Sequence, residues 1–274
     1  MADLGLDLSG IRIRLAGLPE PLAARIRRDW KHFVLPVPTE ARLRMQLSLL
    51  DREAPDGPYE PQHMTSELEP TRARFELPEG SAEVDERGAV AVRLARGLGQ
   101  REFWTWLNFL RASLAWLLPR HGAALLHAAG LVVEDRAYLL VGPEGAGKSS
   151  WARLGEQAGA RVLSDDIVLV DGGAAEPQAL GSPFRSTHFI EYRPGRWPLA
   201  AVLFPRKGEP VSWTPVPALL AAARIAANLP FVSDALERDE KVASVVERLA
   251  TAVPCLELTF GLDASFLELL RAGP

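Results

Sequence analysis

Hydrophobic and polar residues alternate along much of the first 98 residues, and this pattern predicts strands. The strand-like segments are 11–15, 42–50, 72–77 and 81–95, the last with a turn near 85–88. Alternation sends successive side chains to opposite faces of a sheet. We expect a helix from Pro21 to about Trp30, and a long loop over the proline-rich stretch 51–70. Residues 1–98 are therefore predicted to form a smaller, mostly β region without evident chemistry.

The pattern changes at about residue 99, where apolar residues recur every three or four positions. These positions are Phe103, Leu107, Leu110, Leu114 and Leu117. Such spacing predicts an amphipathic helix, and three tryptophans at 104, 106 and 116 widen its apolar surface. The surface could bind a partner, but we expect the helix to pack between two sheets, because amphipathic helices usually cover a core.

Strand and helix patterns follow one another in the rest of the chain. Apolar runs predict strands at AALLHAAGLVV (123–133), AYLLVG (137–142), RVLSDDIVLVD (161–171) and CLELTF (255–260). Helices are expected over 149–159, 216–228 and 235–252, and a final short helix that Asp263 caps. This order is typical of an α/β domain, which we place at 99–274.

Composition narrows the class of protein. The chain is 47% hydrophobic and 24% charged with a net charge of −4, so nothing suggests a nucleic-acid-binding surface. The single cysteine, Cys255, excludes an intrachain disulfide. We see no secretory signal and no apolar run long enough to span a membrane, so a cytoplasmic protein without membrane contact is expected.

The first chemical motif is LLVGPEGAGKSS, which contains the phosphate-loop pattern G-x-x-x-x-G-K-[ST] between a predicted strand and a predicted helix. The predicted nucleotide-binding residues are Gly142, Gly145, Ala146, Gly147, Lys148, Ser149 and Ser150. Backbone N–H groups would surround the phosphates, Lys148 would reach the β and γ phosphates, and Ser149 would bind Mg²⁺. The alternative is a glycine-rich turn in which Lys148 is only a surface charge.

Two further elements flank the loop in sequence. Asp165 and Asp166 interrupt an apolar strand, and burying such a pair is costly unless a cation compensates. One carboxylate would suffice to hold Mg²⁺, so the second offers a base for an incoming hydroxyl. The alternative is two solvated acids at a turn or strand end. His127, in LLHAAG, would on its own more often be a buried core histidine.

Taken together, LLHAAG, GPEGAGKSS and LSDD resemble the catalytic core of HPr kinase/phosphorylase and of related serine kinases that share a fold with phosphoenolpyruvate carboxykinase. The resemblance runs from about residue 122 to the C-terminus and is firmest over 122–193. It implies that ATP and Mg²⁺ are the cofactors. It implies Asp165 as a metal ligand and Asp166 as the catalytic base, with the reverse order also open. His127 would lie near the transferred phosphoryl group.

Two weaker segments extend the resemblance. FIEYRPG resembles the family's Glu-x-Arg-Gly signature, with Pro194 in place of the glycine. It implies Glu191 as a second magnesium ligand and Arg193 as a structural or phosphate partner. In GSPFRS, Arg185 could supply positive charge to the transition state, or it could be an ordinary loop arginine.

The expected function is transfer of a phosphoryl group from ATP to a serine hydroxyl of a peptide or protein. LLAAARIAANLP replaces the Arg-Asn-rich helix of the HPr-acting enzymes, leaving Arg224 and Asn228 as candidates, and residues 1–98 do not match their N-terminal domain. These departures favour a stand-alone relative, such as the lasso-peptide kinases, with a precursor peptide as one candidate acceptor. The alternatives are a nucleotide-sensing module and a kinase of a small-molecule hydroxyl. Homo-oligomers are common among the enzymes that the chain resembles.

Overall fold

The computed structural model describes residues 1–173, 175–184, 192–232 and 239–274. The chain divides into two compact units, Met1–Arg120 and His121–Pro274. Each unit is built on an eight-stranded sheet, and the described residues contain six α-helices. Both sheets mix parallel and antiparallel pairs. The predicted α/β class is confirmed at this level.

The first unit is a β-sheet with two helices. Its elements are β1 (Ala2–Leu8), β2 (Ile11–Leu18), α1 (Glu20–Asp29), β3 (Val34–Leu35), β4 (Leu43–Glu53), β5 (Thr65–Leu68), β6 (Arg72–Leu77), β7 (Gly80–Asp85), β8 (Ala89–Arg96) and α2 (Arg101–Leu117). The strand order is β3-β1-β2-β4-β8-β7-β6-β5. Buried and exposed residues alternate along β2 and β6, as the sequence pattern predicted. The expected loop over 51–70 is wrong in part, because Thr65–Leu68 pairs with β6 and β4 continues to Glu53.

Helix α2 belongs to the first unit. It packs against β6, β7 and β8, so the two units divide between Arg120 and His121, after this helix, whereas the sequence placed the boundary at 98/99. Most of its residues are buried, including Trp106 and Trp116, and only Trp104 is substantially exposed. Its aromatic surface is therefore mainly core. None of the helices in the described ranges is long and apolar enough to cross a membrane.

The second unit contains the predicted motifs. Its elements are β9 (Ala123–Val133), β10 (Arg136–Val141), α3 (Lys148–Gln157), β11 (Arg161–Ser164), β12 (Ile167–Asp171), β13 (Gln178–Leu180), β14 (Arg196–Lys207), β15 (Ser212–Pro215), α4 (Ala218–Ala226), α5 (Glu240–Ala252), β16 (Cys255–Phe260) and α6 (Phe266–Ala272). The single strand expected over 161–171 is two strands, because the acidic pair turns the backbone between β11 and β12. Strands β13, β14 and β15 were not predicted.

The strand pairing brings the C-terminal ends of three strands to one edge of this sheet. β10 is parallel to β14, and β14 is parallel to β16, so Val141, Lys207 and Phe260 all end strands that point the same way. β9 lies on the other side of β10 and runs antiparallel to it. In open α/β sheets, ligands bind beyond the carboxyl ends of the parallel strands. A ligand site is therefore expected at this edge.

Candidate functional site

The loop from 142 to 147 joins the end of β10 to the start of α3. Gly145 and Gly147 have φ angles of 75° and 97°, in the left-handed region that glycine adopts without strain. A Cβ atom at Gly142 would lie 3.0 Å from Pro205 and 3.2 Å from Ala146, so the backbone passes close to its neighbours there. Helix α3 begins at Lys148, which places the positive end of its dipole at the loop.

Lys148 is only 6% exposed and is held by its own loop. Its Nζ donates hydrogen bonds to the carbonyl oxygens of Gly142 (2.7 Å) and Pro143 (2.8 Å). An ammonium group has three N–H donors, so one is left for another acceptor. Burial lowers the pKa of Lys148, while the carboxylates of Asp166 and of the exposed Glu144 act to raise it. Lys148 is therefore a partly desolvated cation inside the loop and not a solvated surface charge.

His127 lies beside the start of the loop. On β9, Ala128 pairs with Val141, the last residue of β10, so His127 is the first residue of β9 beyond that strand's end. Its backbone N–H donates to the carbonyl oxygen of Asn228 (2.8 Å). The imidazole is 33% exposed, and its Nδ1 lies 3.4 Å from Oδ1 of Asp166. His127 is thus not an enclosed core histidine.

The acidic pair lies in a tight turn between β11 and β12. The hydroxyl of Ser164 donates to the carbonyl oxygen of Phe184 and accepts from the backbone N–H groups of Asp166 and Ile167, both at 3.2 Å. This local hydrogen bonding favours a turn over a continuous strand. Ile167 pairs with His127 across the ladder, so the turn presents both carboxylates at the level of the histidine.

The two aspartates have different environments. Asp165 is 2% exposed, and its Oδ1 accepts a hydrogen bond from the hydroxyl of the buried Tyr192 (2.8 Å). The side chain of Asp166 is 24% exposed and faces His127. The structure thus separates a buried, hydrogen-bonded carboxylate from a more accessible one. Sequence reasoning did not identify Tyr192 as a functional residue.

One cavity of about 1220 Å³ brings these groups together. Its lining comprises His127, Glu144, Gly145, Ala146, Gly147, Lys148, Ser149, Ser150, Asp165, Asp166, Lys207, Gly208, Glu209, Phe260, Gly261 and Leu262. The residues predicted from the three sequence motifs are all in this set except Gly142, whose carbonyl oxygen accepts the hydrogen bond from Lys148. The volume is ample for a nucleotide, since sites for small ligands usually measure about 300–1,000 Å³.

Other predicted residues do not line this cavity. Arg185 and Glu191 lie outside the described residues. Arg193 is exposed and is not part of the lining. Arg224 forms an ion pair with Glu257 (3.3 Å), and the side chain of Asn228 donates to the carbonyl oxygen of Arg224 (2.8 Å), so both take part in local packing.

Seven lining residues were not among the predicted site residues. One is Glu144, within the loop; the others lie at or just after the ends of β14 and β16 and are Lys207, Gly208, Glu209, Phe260, Gly261 and Leu262. β14 was not recognised as a strand, so its end could not be placed beside the loop. One signal was available: the chain has lysines only at 31, 148, 207 and 241, and two of these line the cavity.

The donors in the cavity fit magnesium held jointly with a phosphate. Within the described ranges, no group of three or more His, Cys, Asp or Glu side chains is arranged to hold a metal ion. Mg²⁺ bound with nucleotides does not need such a group, because it keeps several waters and takes one or two carboxylates together with phosphate oxygens. Ser149 and the aspartate pair line the cavity and carry oxygen atoms of the kind that such a magnesium ion takes as ligands.

No protein-family model matches this chain, and no curated protein matches it.

Proposed function

We propose that the second unit is an ATP-dependent serine kinase, which uses Mg²⁺ to transfer the γ-phosphoryl group to a serine hydroxyl of a peptide or protein. One observation carries this proposal: the phosphate loop, the His127–Asp166 pair and the buried Asp165 all line the same cavity. A loop alone would serve a module that only binds nucleotide. Phosphoryl transfer also uses a group that accepts the proton of the incoming hydroxyl, and an accessible carboxylate beside the loop is suited to that role.

The loop provides the donor half of the reaction. Its N–H groups and the N-terminus of α3 favour the negative charge of phosphates, and Lys148 adds a cation. Ser149 and Asp165 would hold Mg²⁺, which supplies charge neutralisation at the phosphates when bound. Desolvation strengthens the attraction between Lys148 and a phosphate, because the local dielectric is low. This half orients the donor and stabilises the charge that spreads during transfer.

The acceptor half depends on Asp166. Its carboxylate is accessible from the cavity, so it can accept the proton of the serine hydroxyl as that oxygen attacks the γ-phosphorus and ADP leaves. Asp165 is less suited to this task, because it is almost fully buried and its Oδ1 already accepts from Tyr192. Nδ1 of His127 lies 3.4 Å from Oδ1 of Asp166, so in this proposal His127 would orient that carboxylate. The choice of a peptidyl serine over a small hydroxyl compound depends on the sequence resemblance.

ADP formation tests the proposal and its alternatives. The protein would be incubated with Mg²⁺ and ATP together with a pool of serine-containing peptides, the same pool with alanine at every serine, or free serine. We expect ADP release to rise only with the serine-containing peptides. A rise with free serine alone would support a small-molecule kinase, and ATP binding without any acceptor-dependent ADP would support a sensory module.

Tyr192→Phe is expected to weaken both stability and catalysis. It removes the O–H donor from a buried carboxylate, and a hydrogen bond to a charged group contributes about 1.5–3 kcal/mol. We expect the free energy of unfolding to fall by about 1–3 kcal/mol in urea titrations. We also expect a higher Mg²⁺ concentration for half-maximal transfer, since Asp165 would be less well oriented.

Tyr138→Phe is the matched control. Tyr138 is also buried, and its hydroxyl donates to the carbonyl oxygen of Leu270 (2.7 Å), outside the cavity lining. It should lose stability without changing the Mg²⁺ dependence. If both variants shift the Mg²⁺ requirement equally, or neither does, Tyr192 does not position a metal ligand.

A further inference from the structure

The cavity continues past the phosphate loop to a wall made by two chain segments, residues 207–209 and 260–262, which we call the strand-end wall. Lys207 pairs with Phe260 where β14 and β16 end, and the N–H of Gly208 donates to the carbonyl oxygen of Phe260 (3.2 Å). The two segments are thus held together by the sheet. None of this wall belongs to the motifs that define the phosphate loop and the aspartate pair.

The strand-end wall and the acidic pair lie on opposite sides of the loop. β10, which leads into the loop, lies between β9 and β14. His127 is on β9, and the aspartates adjoin β12 on the far side of β9. The wall begins on β14 and continues to β16. If the acceptor hydroxyl binds near Asp166, the part of the donor beyond its phosphates can therefore bind on the β14–β16 side of the loop.

Leu262 gives this wall an apolar surface. Its side chain is 90% exposed, although it lines the cavity. Phe260 connects it to the loop, since a Cβ atom at Gly147 would lie 3.7 Å from the Phe260 ring. A flat heteroaromatic ring over Leu262 would remove apolar surface from water, which is favourable. A ligand whose phosphates contact Gly147 can therefore extend across Phe260 to Leu262.

Glu209 adds a hydrogen-bond acceptor next to this surface. A Cβ atom on Gly261 would lie 3.1 Å from Oε1 of Glu209, so the carboxylate lies over the backbone that precedes Leu262. Within the described part of the chain, Glu209 has no hydrogen bond or ion pair. An ionised carboxylate only accepts hydrogen bonds, and ribose hydroxyls are donors that suit it.

We propose that the strand-end wall binds the nucleoside of the donor, with Leu262 covering one face of the purine and Glu209 accepting hydrogen bonds from the ribose hydroxyls. This inference deepens the proposed function and rests on its claim that the loop holds a triphosphate. The residues of the strand-end wall do not take part in the transfer step. Substitutions there should therefore change the affinity for the nucleoside without changing the affinity for the phosphates.

Titration calorimetry with ATP and with inorganic tripolyphosphate, each with Mg²⁺, tests the role of Leu262. The wild-type protein should bind ATP more tightly. Leu262→Ser should lower ATP affinity about tenfold, because the base loses its apolar contact, and should leave tripolyphosphate affinity unchanged. Leu219→Ser is the matched control, since Leu219 is 86% exposed on α4 and does not line the cavity. It should change neither affinity.

A second comparison isolates Glu209. The wild-type protein should bind ATP several-fold more tightly than 2′,3′-dideoxy-ATP, and Glu209→Ala should remove that preference. The inference is overturned if Leu262→Ser and Glu209→Ala leave these ratios unchanged, or if ATP and tripolyphosphate bind the wild-type protein equally well. Failure of both ligands to bind would instead overturn the proposed function, and this inference with it.

Discussion

Asp166→Asn is expected to lower phosphoryl transfer by about 10²-fold or more while leaving the affinity for Mg²⁺-ATP within a few-fold of wild type. The amide keeps the shape of the side chain but cannot accept the hydroxyl proton. Binding should survive, because in the proposed mechanism Lys148 and the loop N–H groups, not Asp166, would hold the phosphates. Single-turnover measurement of phosphoserine, paired with calorimetry of ATP binding, separates these two effects.

Two further variants sharpen this prediction. Asp171→Asn is the control, since Asp171 ends β12, the strand that follows the acidic pair, forms an ion pair with Arg196 and is outside the cavity lining. It should transfer at the wild-type rate. Asp165→Asn tests the reverse assignment of the pair. Loss of transfer with intact binding in Asp165→Asn, together with near-normal transfer in Asp166→Asn, would mean that Asp165 is the base.

Lys148→Ala is expected to have the largest effect on the donor half. It removes the buried cation whose Nζ bonds to Gly142 and Pro143, and with it a charge that stabilises the transferring phosphoryl group. Removing one such electrostatic contact typically costs about 10²–10³ in rate. We expect a loss of this size in single-turnover rate, and weaker ATP binding by calorimetry.

Lys241→Ala provides the comparison for Lys148→Ala. Lys241 is an exposed residue near the start of α5, so its removal changes net charge equally without touching the cavity. Its ATP affinity and transfer rate should match wild type. ATP affinity and turnover that are unchanged in Lys148→Ala would contradict the assignment of 142–150 as a phosphate-binding loop.

The sequence pattern predicted the strands that are marked by one continuous apolar run. The run 123–133 is β9, and the apolar residues before Gly142 form β10. β14 was missed, although it is long and half of its residues are buried, because Pro198 and Pro205 interrupt its apolar run and prolines argue against a central strand. Its pairing with β10, β13 and β16 depends on contacts far apart in the chain, which the sequence pattern does not record.

The residues of the candidate site likewise fall into those that a local motif predicted and those that only the fold brings together. His127, Lys148 and the two aspartates were predicted because each lies in a short motif, and pairing of β9 with β10 and β12 brings them together. Tyr192 stands at the unspecified position of the Glu-x-Arg segment, so the motif gives it no role, and the strand-end wall lies in no motif. Tyr192 reaches Asp165 from 27 positions along the chain, and Glu209 meets Gly261 only because β14 and β16 run side by side.

The most direct test of the kinase assignment is phosphosite mapping. Peptides from a phosphatase-treated cell lysate would be incubated with Mg²⁺, ATP and either the wild-type protein or Asp166→Asn, and then analysed by mass spectrometry. We predict phosphoserine that appears with the wild-type protein, requires Mg²⁺ and is absent with Asp166→Asn. Bound ATP without phosphoserine above the level of Asp166→Asn would contradict the assignment.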